Sequence, residues 1–178
     1  MPELFFNNKL YPAFDTNKTG LTLARFQNLE ASHRHHAHLM AIYPMGLLNA
    51  ALEQDKNVMH KSLRWLEQTG TRGWCGYSFS WAACIYAKAK EGDNAAKMLT
   101  IFANNFVSAN SFHLNGDQRG GQYSNFTYRP FTLEGNFAFA QGVHEMLLQS
   151  NNGYIEIFPA IPAMWKDVAF KTLRAEGA

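Results

Sequence analysis

Glu134 is the carboxylate with the clearest potential for chemistry, because it lies directly before a strongly apolar segment. Gly135 and Asn136 supply the backbone freedom and the capping chemistry of a helix start. We therefore expect Glu134 beside the positive end of a helix dipole, which favours its ionised form. Such a carboxylate suits a general base or an electrostatic stabiliser. Acidic residues that only cap a helix are also common at this position, and spacing alone leaves both interpretations open.

A histidine-rich segment, residues 32–38, is the second candidate and holds four of the seven histidines. On a helix, two pairs could share a face and bind a metal: His33 with His36, and His35 with His38. The fixed charge of Arg34 and the lack of Asp, Glu or Cys in this helix argue against a metal. The alternatives are histidines that hydrogen-bond across an interior, or a ligand site in which Arg34 and an imidazole donate to substrate hydroxyls.

Trp74 is the third candidate, since it lies in a glycine-rich turn. It is either a core aromatic of a tight turn or a flat face on which a sugar ring stacks. Trp81, beside alanines and an isoleucine, resembles a core residue more closely. The sequence has no phosphate-binding glycine loop and no Gly-x-Ser-x-Gly motif. Cys75 and Cys84 are predicted to be free buried thiols, so nucleophilic catalysis is unsupported.

Apolar spacing and helix-stop residues predict a mainly helical chain. The last helix is apolar on nearly all faces, which predicts a buried inner helix. A long glycine-rich loop between Ser108 and Pro130 leads into Glu134, and long loops in compact domains are often functional. The predicted helices are Ser32 to Pro44, Asp55 to Gln68, Ser80 to Lys90, one capped by Asp93 that carries Phe106, and Phe137 to Leu148; the predicted strands are Tyr154 to Phe158 and Val168 to Arg174.

Composition bounds the class of protein and of ligand. The 178 residues, with 47% hydrophobic and 17% charged residues, are typical of a globular protein with one core. A net charge of +2 without a basic stripe argues against nucleic acid or a membrane surface as partner. No apolar run is long enough to span a membrane, and the first residues do not form a signal peptide. Export stays open, because a longer protein would carry its signal upstream.

Four segments in this order resemble glycoside hydrolase family 95, which comprises α-L-fucosidases and related α-L-galactosidases. The resemblance covers roughly residues 25 to 175 and implies a mainly α fold. Residues 1–150 would be part of an (α/α)6 toroid, and residues 151–178 the start of a C-terminal β-sandwich domain. The segments are His33-Arg34-His35 with His38-Leu39 and Tyr43-Pro44, Gly73-Trp74 with Ser80-Trp81, Glu134-Gly135-Asn136-Phe137 with Glu145 to Ser150, and Phe158 to Trp165.

The resemblance implies a fragment of an exo-acting, inverting hydrolase that releases terminal L-fucose or L-galactose from glycans. Inversion needs two carboxyl groups far enough apart to admit water. Glu134 matches the carboxylate that polarises this water, which is usually Asp in the family. The extra methylene of Glu would displace the carboxylate by about 1.5 Å. Arg34 and His35 match substrate-contacting positions, and Trp74 and Asn136 complete our predicted substrate-binding set.

The family's general acid and its water-holding asparagines lie upstream of Arg34, and we expect them to be absent from this chain. The isolated chain is therefore expected to be inactive and, as an exposed half-toroid, to self-associate. No cofactor is expected. The compartment is unknown from the residues themselves, and the resemblance suggests a secreted or periplasmic full-length protein. The alternative function is a non-catalytic helical carbohydrate-binding or interaction domain.

Overall fold

The computed structural model describes residues 14–15, 20–23 and 27–176, which form a mainly helical structure. Two antiparallel pairs of two-residue strands flank the helices, and none of the described helices is both long and apolar enough to cross a membrane. The helices are α1 (Glu53–Thr69), α2 (Gly76–Lys88), α3 (Gly92–Asn105) and α4 (Glu134–Leu147). The strands are β1 (Phe14–Asp15), β2 (Gly20–Leu21), β3 (Leu148–Gln149) and β4 (Glu156–Ile157).

Helix α1 confirms the helix that was predicted from Asp55 to Gln68. Its buried face contains Met59, Leu63 and Leu66, which recur at helical spacing. The helix ends at Gly70, whose φ of 74° is easily adopted only by glycine.

Helices α2 and α4 are parallel neighbours, because the contacts between them advance along both helices in the same direction. The three contacts are Ser80 Oγ to the carbonyl of Gly135 at 3.0 Å, Cys84 Sγ to the carbonyl of Ala138 at 3.6 Å, and Lys88 Nζ to Glu145 Oε2 at 2.9 Å. The amino-terminal ends of the two helices therefore lie at the same end of the structure.

Helix α3 runs antiparallel to both α2 and α4 and packs against them. The ring centroids of Phe79 and Phe106 are 4.8 Å apart, and those of Phe102 and Phe139 are 5.5 Å apart. Gly142 permits the close approach, since a Cβ there would lie 3.2 Å from the Leu99 side chain. Helical hairpins packed side by side produce this alternation of direction. A six-hairpin toroid stays a prediction.

The α-helix predicted from Ser32 to Pro44 is wrong. Only a 3-10 turn, Ala37–Leu39, forms there. In an α-helix the carbonyl of Arg34 would accept from the amide of His38. Here it accepts a 2.6 Å hydrogen bond from the hydroxyl of Ser78 instead. Tertiary hydrogen bonds thus replace the local helical ones in this segment.

Two further helix boundaries differ from prediction. Helix α2 begins at Gly76 rather than Ser80, and a capping box formed by Cys75 and Ser78 fixes this start. Asp93 lies in the first turn of α3 without capping it. Its carboxylate accepts a 2.7 Å hydrogen bond from the amide of Ala163 and thereby anchors a distant segment.

In this chain α4 is buried on one side only, whereas its apolar sequence predicts an inner helix that is covered on nearly all faces. Gly135, Gly142 and Met146 are buried, but Phe137 is 67% exposed. The reason is that α2 and α3 cover only one side of this nearly all-apolar helix. An apolar face with Leu133 and Phe137 therefore faces solvent.

The two strands predicted after residue 150 are largely wrong. From Tyr154 to Phe158, only Glu156–Ile157 pairs, with Leu148–Gln149, while the segment Val168 to Arg174 forms no strand. Phe158 and Thr172 have φ values of 57° and 61°, which interrupt an extended backbone. The β-sandwich domain and its boundary at residue 150 stay predictions.

Candidate active site

The candidate site lies where the amino-terminal ends of α2 and α4 meet. Both positive dipole ends point to this place, which favours an anionic group. Glu134 is the first residue of α4, and Tyr77 lies in the first turn of α2. Burial raises the pKa of Tyr77, and the neighbouring Cys84 thiol and Glu134 carboxylate raise it further. The phenol therefore stays protonated at neutral pH and can donate a hydrogen bond.

The side chain of Glu134 is exposed and does not cap its helix by a hydrogen bond. The N-cap residue is Leu133, which makes no side-chain capping bond either. With the residues that the structure describes, the Glu134 carboxylate forms neither a hydrogen bond nor an ion pair. These contacts give no support to the interpretation that Glu134 only caps the helix. The carboxylate is open to a water molecule or a ligand.

His113 lies fully buried behind Glu134 and contacts the residues on both sides of it. Its Nδ1 donates a 2.5 Å hydrogen bond to the carbonyl of Thr132. A Cβ at Gly135 would lie 2.3 Å from the same nitrogen, and a Cβ at Gly76 would lie 2.2 Å from Nε2. Both glycines therefore make room for the imidazole between the two helix ends.

His113 was not among the site residues predicted from the sequence. Burial lowers its pKa, against smaller opposing effects of the Thr132 carbonyl and the Glu134 charge, so the imidazole is neutral at neutral pH. The sequence signal for a bulky group at this place was a glycine near the start of each helix, Gly76 in α2 and Gly135 in α4. Neither glycine identifies the distant residue that occupies the space.

Asn136 is already engaged within the chain. Its Oδ1 accepts a 2.8 Å hydrogen bond from the amide of His113, and its Nδ2 donates a 2.9 Å bond to the carbonyl of Ser111. The side chain thus anchors the loop before α4. Substrate binding by Asn136 stays a prediction, since these two bonds leave one N–H and one lone pair of the amide unused.

Arg34 and His35 are both exposed and lie in a segment attached to the first turn of α2. Ser78 holds this segment through its hydroxyl, which donates to Arg34, and through its carbonyl, which lies 3.0 Å from Nε2 of His36. Partial burial lowers the pKa of His35, and the charges of Arg34 and His33 lower it further. The segment therefore presents one permanent cation and one neutral imidazole near the helix ends.

Trp74 belongs to the core, and its predicted role as a stacking face for sugars is wrong. The indole is only 2% exposed. Its ring centroid lies 4.6 Å from that of His36 and 5.0 Å from that of Phe79. The turn buries the ring instead of presenting it, because its neighbours occupy the space that a sugar would need.

The histidine-rich segment does not form the metal site that was considered as an alternative. His36 and His38 point into the core, while His33 and His35 are exposed, so neither predicted pair shares a face. Burial lowers the pKa of His36 to about 3 and that of His38 to about 4. Within residues 14–15, 20–23 and 27–176, no group of three or more His, Cys, Asp or Glu side chains could hold a metal.

Comparison with known proteins identifies the family. Residues 22–147, which include all four helices together with Arg34 and Glu134, match the glycosyl hydrolase family 95 catalytic domain. The chain therefore belongs to glycoside hydrolase family 95, as its motifs indicated.

A curated relative is the Alpha-L-fucosidase 2 of Arabidopsis thaliana. It is 32% identical to this chain over 155 residues, which cover 85% of the chain and 18% of the relative. The chain thus spans less than a fifth of the length of this relative.

Proposed function

We propose that this chain contributes the base side of the active site of an exo-acting, inverting α-L-fucosidase-like hydrolase. The observation that carries the proposal is the exposed Glu134 carboxylate, unpaired among the described residues, at the joint amino-terminal ends of α2 and α4. Its substrates are glycans with terminal L-fucose or L-galactose. These two sugars differ only at carbon six.

Glu134 acts as the carboxylate that polarises the attacking water. The amino-terminal ends of two helices attract negative charge, and a carboxylate can take a proton from water as the water attacks the sugar. An inverting reaction also needs a general acid across the scissile bond, roughly 6.5–9.5 Å from the base. On this proposal, the acid comes from a part of the protein that precedes Arg34.

Arg34 and His35 bind the sugar from the segment that is attached to the first turn of α2. A guanidinium donates several hydrogen bonds, and a neutral imidazole both donates and accepts. Ser78 holds their backbone in place by its 2.6 Å hydrogen bond to the Arg34 carbonyl. This fixed segment reduces the entropy that substrate binding would otherwise cost.

The product's configuration tests the proposal in the protein that carries these 178 residues. Proton NMR of α-L-fucoside hydrolysis is expected to detect β-L-fucose first, before mutarotation. Release of α-L-fucose first would contradict inversion. Glycan binding without any product would instead support the alternative of a non-catalytic carbohydrate-binding domain.

A further inference from the structure

We infer that His113 is the positioning residue that fixes Glu134 in the site. The inference rests on the proposed function of Glu134. His113 contacts the residues before and after Glu134, both through its buried imidazole and through its backbone.

On the amino-terminal side of Glu134, His113 binds Thr132. Nδ1 lies 2.5 Å from the Thr132 carbonyl oxygen, and the Thr132 hydroxyl lies 2.8 Å from the same nitrogen. A carbonyl only accepts hydrogen bonds, so the proton must be on Nδ1. This tautomer leaves Nε2 as the unprotonated nitrogen.

On the carboxyl-terminal side of Glu134, His113 contacts Gly135 and Asn136. The imidazole fills the place of a Gly135 side chain, and the His113 amide donates to Asn136 Oδ1 at 2.8 Å. Residues 132, 135 and 136 are thus all held by His113, and the backbone of Glu134 between them has little freedom. The contact with Gly76 extends this restraint to the first turn of α2.

The neighbours of His113 hold it equally firmly. The imidazole is fully buried, and its ring centroid lies 5.2 Å from that of Phe102 in α3. Nε2 has no hydrogen-bond partner among the described residues, so the Nδ1 bond is the polar contact that orients the ring. Because displacements of about 1 Å can lower turnover roughly 100-fold, the position of this ring matters for Glu134.

The test compares two substitutions of His113 in the protein that carries this chain. The amide nitrogen of Asn lies near the position of Nδ1 and can donate to Thr132, whereas Leu has similar bulk and cannot donate. We expect His113→Leu to lower kcat roughly 100-fold with KM changed less than threefold, and His113→Asn to recover at least tenfold. His144→Leu, at an exposed position of α4, is the control and should leave kcat unchanged.

A second set of variants keeps the inference testable if His113→Leu folds poorly. Gly135→Ala places a methyl group where the imidazole lies, so it should lower kcat like His113→Leu. The double variant His113→Ala with Gly135→Ala has room for that methyl group. Its fold-loss of kcat should therefore be smaller than the product of the fold-losses of the single variants His113→Ala and Gly135→Ala. Independent, multiplicative losses would contradict the steric contact on which the inference depends.

Glu134→Gln, measured in parallel, separates this inference from the proposed function. If Glu134→Gln lowers kcat but His113→Leu does not, the positioning role is wrong and the proposed function stands. If Glu134→Gln leaves kcat unchanged, the proposed function fails. In that case a crystal structure of His113→Leu still decides the positioning role, since residues 132–136 must shift if His113 holds them.

Discussion

The hydroxyl of Ser80 donates a 3.0 Å hydrogen bond to the carbonyl of Gly135. This buried bond connects the second turn of α2 to the residue that directly follows Glu134. It is one of three contacts that make the two helices parallel and bring their amino-terminal ends together. The position of Glu134 therefore depends on α2 as well as on its own helix.

Ser80→Ala removes this link between the helices. Loss of one buried hydrogen bond is expected to lower the free energy of unfolding by roughly 1–2 kcal/mol. Urea denaturation measures the change. Thr100→Ala is the control, because the Thr100 hydroxyl donates to the carbonyl of Ala96 within the same helix, α3. An equal loss in both variants would contradict a specific role of the Ser80 bond.

The Lys88–Glu145 ion pair is expected to couple α2 to α4 at their other ends. The two charges are 2.9 Å apart, and each side chain is only 10% exposed. Lys88→Met leaves the Glu145 carboxylate without its cation and should cost about 3–5 kcal/mol. The double variant Lys88→Met with Glu145→Leu should recover much of this loss. A double-mutant cycle with no coupling energy would contradict the prediction.

Stability should fall as the pH drops below 6.5. His36 and His38 are neutral in the folded chain, with pKa values lowered by burial to about 3 and about 4 from 6.5. Below pH 6.5 the unfolded chain binds protons that these two folded histidines do not, so each group can cost up to about 1.4 kcal/mol per pH unit until its folded pKa is reached.

Urea denaturation between pH 7.5 and 4.5 tests this dependence, and the stabilising effect of the neutral histidines should be complete at the upper end. His38→Leu should flatten the curve, because neither ring nitrogen of His38 has a hydrogen-bond partner among the described residues. His144→Leu, at an exposed position, should leave the slope unchanged. A His38→Leu variant with the original slope would contradict the assignment.

The exposed apolar face of α4 should cause the isolated 178-residue chain to self-associate. Phe137 is 67% exposed and Leu133 is 38% exposed, one helical turn apart. Large exposed apolar patches favour association. Sedimentation velocity is expected to show dimers or larger species for the wild type and a shift toward monomer for Phe137→Lys. A wild-type chain that is monomeric at all concentrations would contradict this prediction.

Much of the helical structure was predictable because its causes are local. The spacing of Met59, Leu63 and Leu66 and the stop at Gly70 predicted α1 nearly to its ends. The helix predicted around Arg34 does not form, because the Arg34 carbonyl bonds to Ser78, which lies 44 residues away. No local pattern contains that information.

The site was predictable in part for the same reason. Glu134 stood out as a charge at the start of an apolar helix, and the structure leaves its carboxylate open. His113 was missed because Thr132 and the two glycines around it are brought together only by the packing of α2 against α4. Trp74 was misjudged because a glycine-rich turn can bury an aromatic ring as easily as expose it.

The turnover of Glu134→Gln in the protein that carries this chain tests the central claim most directly. The substitution keeps the size of the side chain and removes only the charge. We predict that kcat for an α-L-fucoside falls at least roughly 100-fold, with the melting temperature unchanged. Glu53→Gln, in the first turn of α1, is the matched control and should keep wild-type kcat. Wild-type turnover by Glu134→Gln would contradict the assignment of Glu134 as the base-side carboxylate.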